Sequence, residues 1–288
     1  MARNMMKKLL CLGLAATSTF ASATMLSACE IETSHPEVSM TLSFDGEDYE
    51  LTYKLYRKLT PATVTHFLEL VEGEYYNGLC IHDYQDSAWY AGVYEYDATK
   101  EDEGGLVYKS YLTAAKALNL TSTVWKDAEK KESTYTLYGE FSGNNFRVEN
   151  GKVQNGFGAL TMRYTDKGAA KDEETVFVAK ASDGMLTPKR YDYNSATSMF
   201  SIATATSAAN LTTYCTFAVL KDEKSVTKLE DLQAAVKAYI EELGDVSDFA
   251  PSVYVTINEE DDFVGSSEKS YAVPVEPIVI KEMKVKKW

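Results

Sequence analysis

Basic residues are in deficit in this chain. Twenty-nine Lys and Arg stand against 43 Asp and Glu, a formal charge of −14, and such a surface gives no long-range attraction to phosphate backbones or anionic headgroups. Nucleic-acid binding is therefore not expected. Histidine is scarcer still: His35, His66 and His82 lie too far apart in sequence to make a ligand motif, so no metal is expected. Four cysteines, Cys11, Cys29, Cys80 and Cys215, cannot form a disulfide framework. There is no glycine-rich phosphate loop, no Gly-x-Ser-x-Gly and no Cys-His-Asn set, so nucleotide and hydrolase chemistries find no support and no cofactor is implied. The acidic run Glu259-Glu260-Asp261-Asp262 lacks the glycine and terminal glutamate of a calcium loop and reads as solvated. What is present is a core: 45% apolar and 25% charged residues in 288 suit one large domain or two small ones and exclude a disordered chain.

The N-terminus specifies a compartment. Arg3, Lys7 and Lys8 precede an apolar run from Leu9 to Ala16 and a Ser/Thr/Ala-rich stretch, the layout of a secretory signal rather than of a membrane span. Leu26-Ser27-Ala28-Cys29 matches the bacterial lipobox. Residues 1–28 are thus expected to be a cleaved lipoprotein signal and Cys29 the lipidated residue. Ordinary signal cleavage, with Cys29 there by chance, is the alternative. Cleavage removes three cations and no acid, taking −14 to −17, so anchoring would rest on the lipid rather than on charge. The chain is expected on the outer face of the bacterial cell membrane, or in the periplasm where there are two membranes. Cys80 and Cys215 sit in apolar, strand-like runs and read as small buried hydrophobes; a bridge between them stays open.

Residues 29–37 form a polar tether ahead of a domain over 38–288. Val38 to Phe44 alternates with period two, turns at Asp45-Gly46 and returns over Tyr49 to Tyr56, a hairpin. Thr60 as N-cap, Pro61 at the first helical position and Val64, Phe67, Leu68 and Val71 at helical spacing predict a helix from Pro61 to Val71. Strand character recurs over Leu79 to Tyr84, Gly158 to Tyr164, Thr175 to Ala179, Met199 to Ala203, Cys215 to Leu220, Val253 to Ile257 and Ile278 to Val285. A second helix runs from Lys228 to a stop at Gly244. Residues 99–133 and 166–195 read as insertions, the first with a short helix over Tyr111 to Leu118. Many strands, two separated helices and no βαβ rhythm predict a mainly β barrel or sandwich with capping helices.

Several segments resemble cyclophilin-type peptidyl-prolyl cis-trans isomerases. They are Thr60-Pro61-Ala62-Thr63-Val64 with Phe67-Leu68-Glu69-Leu70, Tyr75 to His82, Leu137-Tyr138-Gly139-Glu140-Phe141, Gly158 to Met162, Ser198 to Ile202, and Phe217. They run in family order along nearly the whole mature chain. The resemblance implies a closed eight-stranded barrel capped by two helices, with a proline-binding groove outside it. It also implies that the arginine of the family's Phe-His-Arg motif, which donates to the substrate around the prolyl amide, falls on Asp83. An ionised carboxylate accepts and cannot donate.

Counted forward from Asp83, the aromatic floor of the pocket falls on Ala88, the methionine position on Trp89 and the groove glutamine on Ala91. On the later strand the glutamine position is Met199 and the phenylalanine that packs on proline is Ser201. The pocket histidine is Tyr214. The resemblance thus assigns a groove of His82, Trp89, Met162, Phe200 and Tyr214, with Arg163 as a possible substitute electrophile or, alternatively, a surface arginine paired with a carboxylate. The expected activity is prolyl isomerisation on exported proteins, weak or lost because of Asp83. The alternative is a non-catalytic, monomeric binding lipoprotein, and an unrelated adhesin or solute-binding reading would require a large apolar pocket elsewhere.

Overall fold

The computed structural model describes residues 35–100, 104–120, 124–144, 146, 153–164, 175–179, 184–190, 195–205, 215–256 and 268–288. Cys29, Tyr214 and the remaining parts of both insertions lie outside them.

The first hairpin forms as its pattern requires. β1 (Glu37–Phe44) and β2 (Glu47–Leu55) pair from Glu37↔Lys54 to Phe44↔Glu47. Asp45 and Gly46 between them both have positive φ, 47° and 78°, the conformation that matches strand twist in a two-residue loop. Val38, Met40, Leu42 and Phe44 all turn into the core.

Helix α1 (Pro61–Glu72) follows. The structure corrects its start: Thr60 makes no side-chain cap, and its hydroxyl donates back to Tyr56 O at 3.4 Å. The capping group is Glu140, buried, whose Oε1 and Oε2 accept from Ala62 N (3.0 Å) and Thr63 N (2.8 Å). A carboxylate from 77 residues away thus satisfies two donors the helix leaves open and faces its positive end. Phe67 seats the helix, its ring lying 5.2, 5.7 and 4.9 Å from those of Tyr76, Phe200 and Phe217. Truncating such a ring costs ~3–5 kcal/mol.

The chain continues through β3 (Asp83–Gln85), β4 (Ala88–Ala91), β5 (Tyr94–Tyr96), β6 (Leu106–Tyr108), α2 (Tyr111–Ala117), β7 (Val124–Trp125), β8 (Leu137–Tyr138), β9 (Leu160–Met162), β10 (Thr175–Ala179), β11 (Leu186–Arg190), β12 (Ser195–Ala196), β13 (Phe200–Ala203) and β14 (Cys215–Leu220). It ends with α3 (Glu223–Leu243), α4 (Val246–Phe249), β15 (Ser252–Thr256), β16 (Glu268–Ala272) and β17 (Val279–Lys287). α3 begins five residues before the expected Lys228 because Asp222 caps it, accepting from Ser225 N at 2.9 Å. It stops at Gly244, φ 109°, as expected. Leu229, Leu232 and Val236 pack its buried stripe onto the core.

The main sheet has the order β17-β1-β2-β14-β9-β13-β4-β3. It is an open half-barrel, so the closed barrel expected above is not what forms: β17 and β3 are its edges. Gly78 N and Ile81 N donate to Ile280 O and Ile278 O (both 2.8 Å), and Ile280 N to Leu79 O (2.7 Å). These bonds bring the chain ahead of β3 against β17, while β3 itself, three residues long, ladders only with β4. The two insertions meet in a separate sheet, β11-β10-β7, with Phe177↔Trp125 and Val178↔Val124 in register.

A second apolar cluster lies beside the main core. Tyr94 and Leu106 of the β5–β6 hairpin join Val255 and Tyr271 of the β15–β16 hairpin, with Val273, around Cys80. Cys80 and Cys215 are both free and buried, and burial pushes each thiol up to about 12, so neither is a ready nucleophile. Among the described residues, no helix is long and apolar enough to cross a membrane.

Glu140→Ala leaves two helix donors without a partner in a buried setting. It is expected to lower unfolding stability by ~1–3 kcal/mol, with Glu140→Gln recovering part, as read by denaturant titration.

Candidate functional site

Cross-strand partners in a sheet share a face, so the register of the main sheet sorts the predicted site residues into two sets. One row runs Ala91–Phe200–Met162–Cys215 and, beside it, Trp89–Ile202–Leu160. All of these residues are buried in the core, and Phe200 meets Phe67 edge to face. The other row runs Asp83–Tyr90–Ser201–Thr161–Thr216 across β3, β4, β13, β9 and β14. It lies on the opposite, outer face.

This corrects part of the groove expected from sequence. Trp89, Ala91, Met162 and Phe200 are interior residues. Counting forward from Asp83 without a gap lands one residue out of phase, and a one-residue slip exchanges the two faces of a strand. The outward residue of β4 beside Asp83 is Tyr90, which sequence reasoning missed. The signal that could have found it is the alternation itself: once Phe200 and Ile202 are taken as core, their paired strand must present Tyr90 outward. Ala88 pairs with Gln85 and Ala203 at the end of the same sheet, and Met199 stands just before β13.

This second row is polar, and its hydroxyls on Ser201, Thr161 and Thr216 are buried. Thr161 Oγ1 lies 2.9 Å from Thr216 Oγ1 and 3.3 Å from Asn155 Oδ1, and Ser201 Oγ donates to Thr161 O at 3.4 Å. Asp83 closes one end of the row. Its Oδ1 accepts from Ala272 N at 3.0 Å and from Gln85 Nε2 at 2.7 Å, which ties the β15–β16 hairpin to β3.

At the other side Arg163 follows β9, its main-chain N donating to Met199 O at 2.9 Å. Its guanidinium carbon lies over the Tyr90 ring, 4.8 Å from the centroid. The carboxylate partner allowed for Arg163 above is not found among the described residues.

Residues 39–246 match the family described as cyclophilin type peptidyl-prolyl cis-trans isomerase/CLD. The chain belongs to the cyclophilin-type peptidyl-prolyl isomerase family. Its fold accords with this, being mainly β with few helices. The crystal structure of a Cryptosporidium parvum cyclophilin type peptidyl-prolyl cis-trans isomerase is 17% identical, covering 88% of this chain and 99% of that one at a TM-score of 0.43. The same Cryptosporidium protein in the presence of the dipeptide Ala-Pro gives 14% identity, the same coverage of 88% and 99%, and a TM-score of 0.40. No curated protein matches the chain.

His82, the strand histidine of the cyclophilin resemblance, is fully buried between the rings of Tyr94 (5.2 Å) and Tyr271 (5.0 Å). Neither ring nitrogen has a hydrogen-bond partner. It lines the second cluster rather than the outer row. Burial, with the charges of Arg163 and Lys269 adding to it, lowers its pKa to about 3. His66, on α1, is lowered by burial to about 4, partly opposed by the 2.8 Å contact of Nε2 with Thr197 O. Among the described residues no group of three or more His, Cys, Asp or Glu side chains comes together to hold a metal ion.

Both imidazoles are neutral when folded and take up a proton near pH 6.5 when unfolded. Between about 6.5 and about 4 the unfolded chain binds more protons, so the stability they contribute is full above 6.5 and falls as pH drops through that window. Glu140, raised above the ordinary carboxylate value by burial against the pull of the Thr63 and Ala62 N–H groups, works in the opposite sense. A melting temperature falling from pH 7 to pH 4.5, with the fall flattened in His82→Phe relative to wild type at each pH, is the expected result in calorimetry.

Proposed function

We propose that this protein is a cyclophilin-fold lipoprotein that binds proline-containing segments of exported proteins and whose isomerase activity is weak or absent. One observation carries the reading: Asp83, on which the resemblance places the family's arginine, is a carboxylate committed to Ala272 N and Gln85 Nε2. Rotation about a prolyl amide faces a barrier of ~18–20 kcal/mol, and an electrophilic donor lowers it by stabilising the twisted amide in which C–N resonance is lost. A carboxylate in that place offers an acceptor and the opposite field. Loss of one such donor costs on the order of 10²–10³ in rate.

The compartment and anchor belong to this proposal. Export by residues 1–28 and lipidation at Cys29 would hold a monomer on the outer surface of the bacterial membrane, or in the periplasm, beside chains emerging from the secretion machinery. Its partners there are peptide segments and the membrane, not nucleic acid.

In exchange NMR on a series of Xaa-Pro tetrapeptides, the wild-type chain is expected to give at least ~10²-fold less enhancement than an active family member run alongside, while peptide shifts still report binding. Asp83→Arg is expected to raise the enhancement. Wild-type exchange equal to that of the active protein would overturn the proposal. For the anchor, bacterial cells expressing the chain and fed labelled palmitate should show label on wild type and none on Cys29→Ala; label on neither would return the N-terminus to an ordinary signal.

A further inference from the structure

We infer that the end of the β17-β1-β2 sheet at which the tether enters is a membrane-facing surface, where Lys54, Lys58, Lys286 and Lys287 meet anionic lipid headgroups and set the orientation of the anchored domain. For its occupant the inference rests on the lipid-anchor reading above.

The register gathers these lysines. Glu37, the first residue of β1, pairs with Lys54 of β2 on one side and Lys287 of β17 on the other, and cross-strand partners share a face. Lys286 is the extra residue where β17 shifts register between the partners of Glu37 and Val38, and Lys58 lies in the turn after β2. Leu55 N donates to Pro36 O at 2.9 Å, so the chain arriving from Cys29 enters the sheet at this same end. His35, just ahead of β1, senses three of the four: its pKa is lowered by desolvation first and then by the charges of Lys54, Lys58 and Lys287.

These cations differ from their neighbours in having no acid beside them. Further along β17, Lys284 pairs with Glu282 (2.6 Å) and Lys281 with Asp48 (2.5 Å). Among the described residues no ion pair involves Lys54, Lys58, Lys286 or Lys287. Two acids at this end are already engaged, Glu37 by Lys221 (2.6 Å) and Glu72 by Trp288 Nε1. The opposite end of the hairpin is acidic, with Asp45, Glu47, Asp48 and Glu50.

A net charge of −14 excludes attraction to anions only at a distance. The length of β1 separates the two ends of the hairpin by about 23 Å at ~3.3 Å per residue, whereas charges are screened over ~8 Å at physiological salt. A surface in contact with the tether end therefore meets the lysines and not the acids. The eight residues from Cys29 to Pro36 span at most ~28 Å, so an anchor at Cys29 keeps this end within reach of the leaflet, and an anionic leaflet turns the acidic end away. Ammonium groups on flexible stems suit a mobile layer of phosphate headgroups, which demands charge and no fixed geometry.

Residues 33–288 form one compact unit with its own core, and this domain is used for the test. Its partition onto vesicles is measured by sedimentation in about 0.1 M salt, with phosphatidylcholine alone and with one part phosphatidylglycerol to three of phosphatidylcholine. Near an anionic surface each lysine is worth about five-fold in partition. Lys54→Gln/Lys58→Gln/Lys286→Gln/Lys287→Gln is expected to lower partition onto the anionic vesicles at least ~ten-fold. A control with the same charge change elsewhere, Lys224→Gln/Lys228→Gln/Lys237→Gln/Lys281→Gln, should change it less than ~two-fold. Wild-type binding should vanish in about 1 M salt, where screening acts over about 3 Å. Equal partition onto the two vesicle types, equal losses in the two quadruple variants, or binding that survives the salt would overturn the inference. Retention by immobilised polyglutamate with none on vesicles would overturn it too, giving the surface an acidic polypeptide instead. The anchor is judged separately: vesicle binding with no palmitate on the full chain keeps the surface and removes the anchor, while a labelled chain whose domain ignores anionic vesicles keeps the anchor and removes the surface. If the first quadruple variant does not fold, inversion of the exposed pair, Lys286→Glu/Lys287→Glu, replaces it with the same readings.

Discussion

The contact on which the remainder of the structure depends is the seat of Phe67 among Tyr76, Phe200 and Phe217. It fixes more than the position of α1. Because side chains alternate along a strand, holding Phe200 inward commits Ser201 outward, and the register passes that choice to Tyr90, Thr161 and Thr216 on the neighbouring strands. The chemistry of the outer face is therefore decided by an aromatic contact on the inner one. A polar row and a buried row come from the same few residues, and no smaller displacement than a whole residue could exchange them.

A second constraint comes from chain that the family match does not cover. The β15–β16 hairpin lies beyond residue 246, where the match ends, yet it buries Val255 and Tyr271 against Cys80, Tyr94 and Leu106 and reaches Asp83 through Ala272 N. In that setting an aspartate at position 83 has a positive structural role. It gives the edge strand β3 a side-chain acceptor for a neighbouring N–H that no ladder pairs. An arginine there would present donors to a donor.

Burial sets the protonation states of the interior in the same way. His82 and His66 are held neutral, Cys80 and Cys215 are held as thiols, and Glu140 is held on a helix terminus by two N–H groups. None of these groups reaches the outer row, so the titratable interior serves packing. The opposite face of the same strands carries Tyr90 and the hydroxyls of Ser201, Thr161 and Thr216, with Arg163 over the Tyr90 ring.

Much of this was legible in the residues. The hairpin at Asp45-Gly46, α1, the strands at 175–179 and 215–220 and the stop of α3 at Gly244 follow from local signals: period-two alternation, a positive-φ turn, helical spacing and a glycine C-cap. The family motifs were in the right order along the chain, and residues 39–246 match the family. Local signals do not carry what depends on pairing. The cap of α1 by Glu140, the open edge between β17 and β3, the joining of both insertions in one small sheet, and the exchange of Trp89 for Tyr90 at the site each require knowing which distant strand lies alongside. Sequence by itself determined most of the elements and the family, because those are written in near neighbours and motif order. Only the tertiary structure decided which face each side chain takes, since that is set by register, and register is a property of two strands rather than of one.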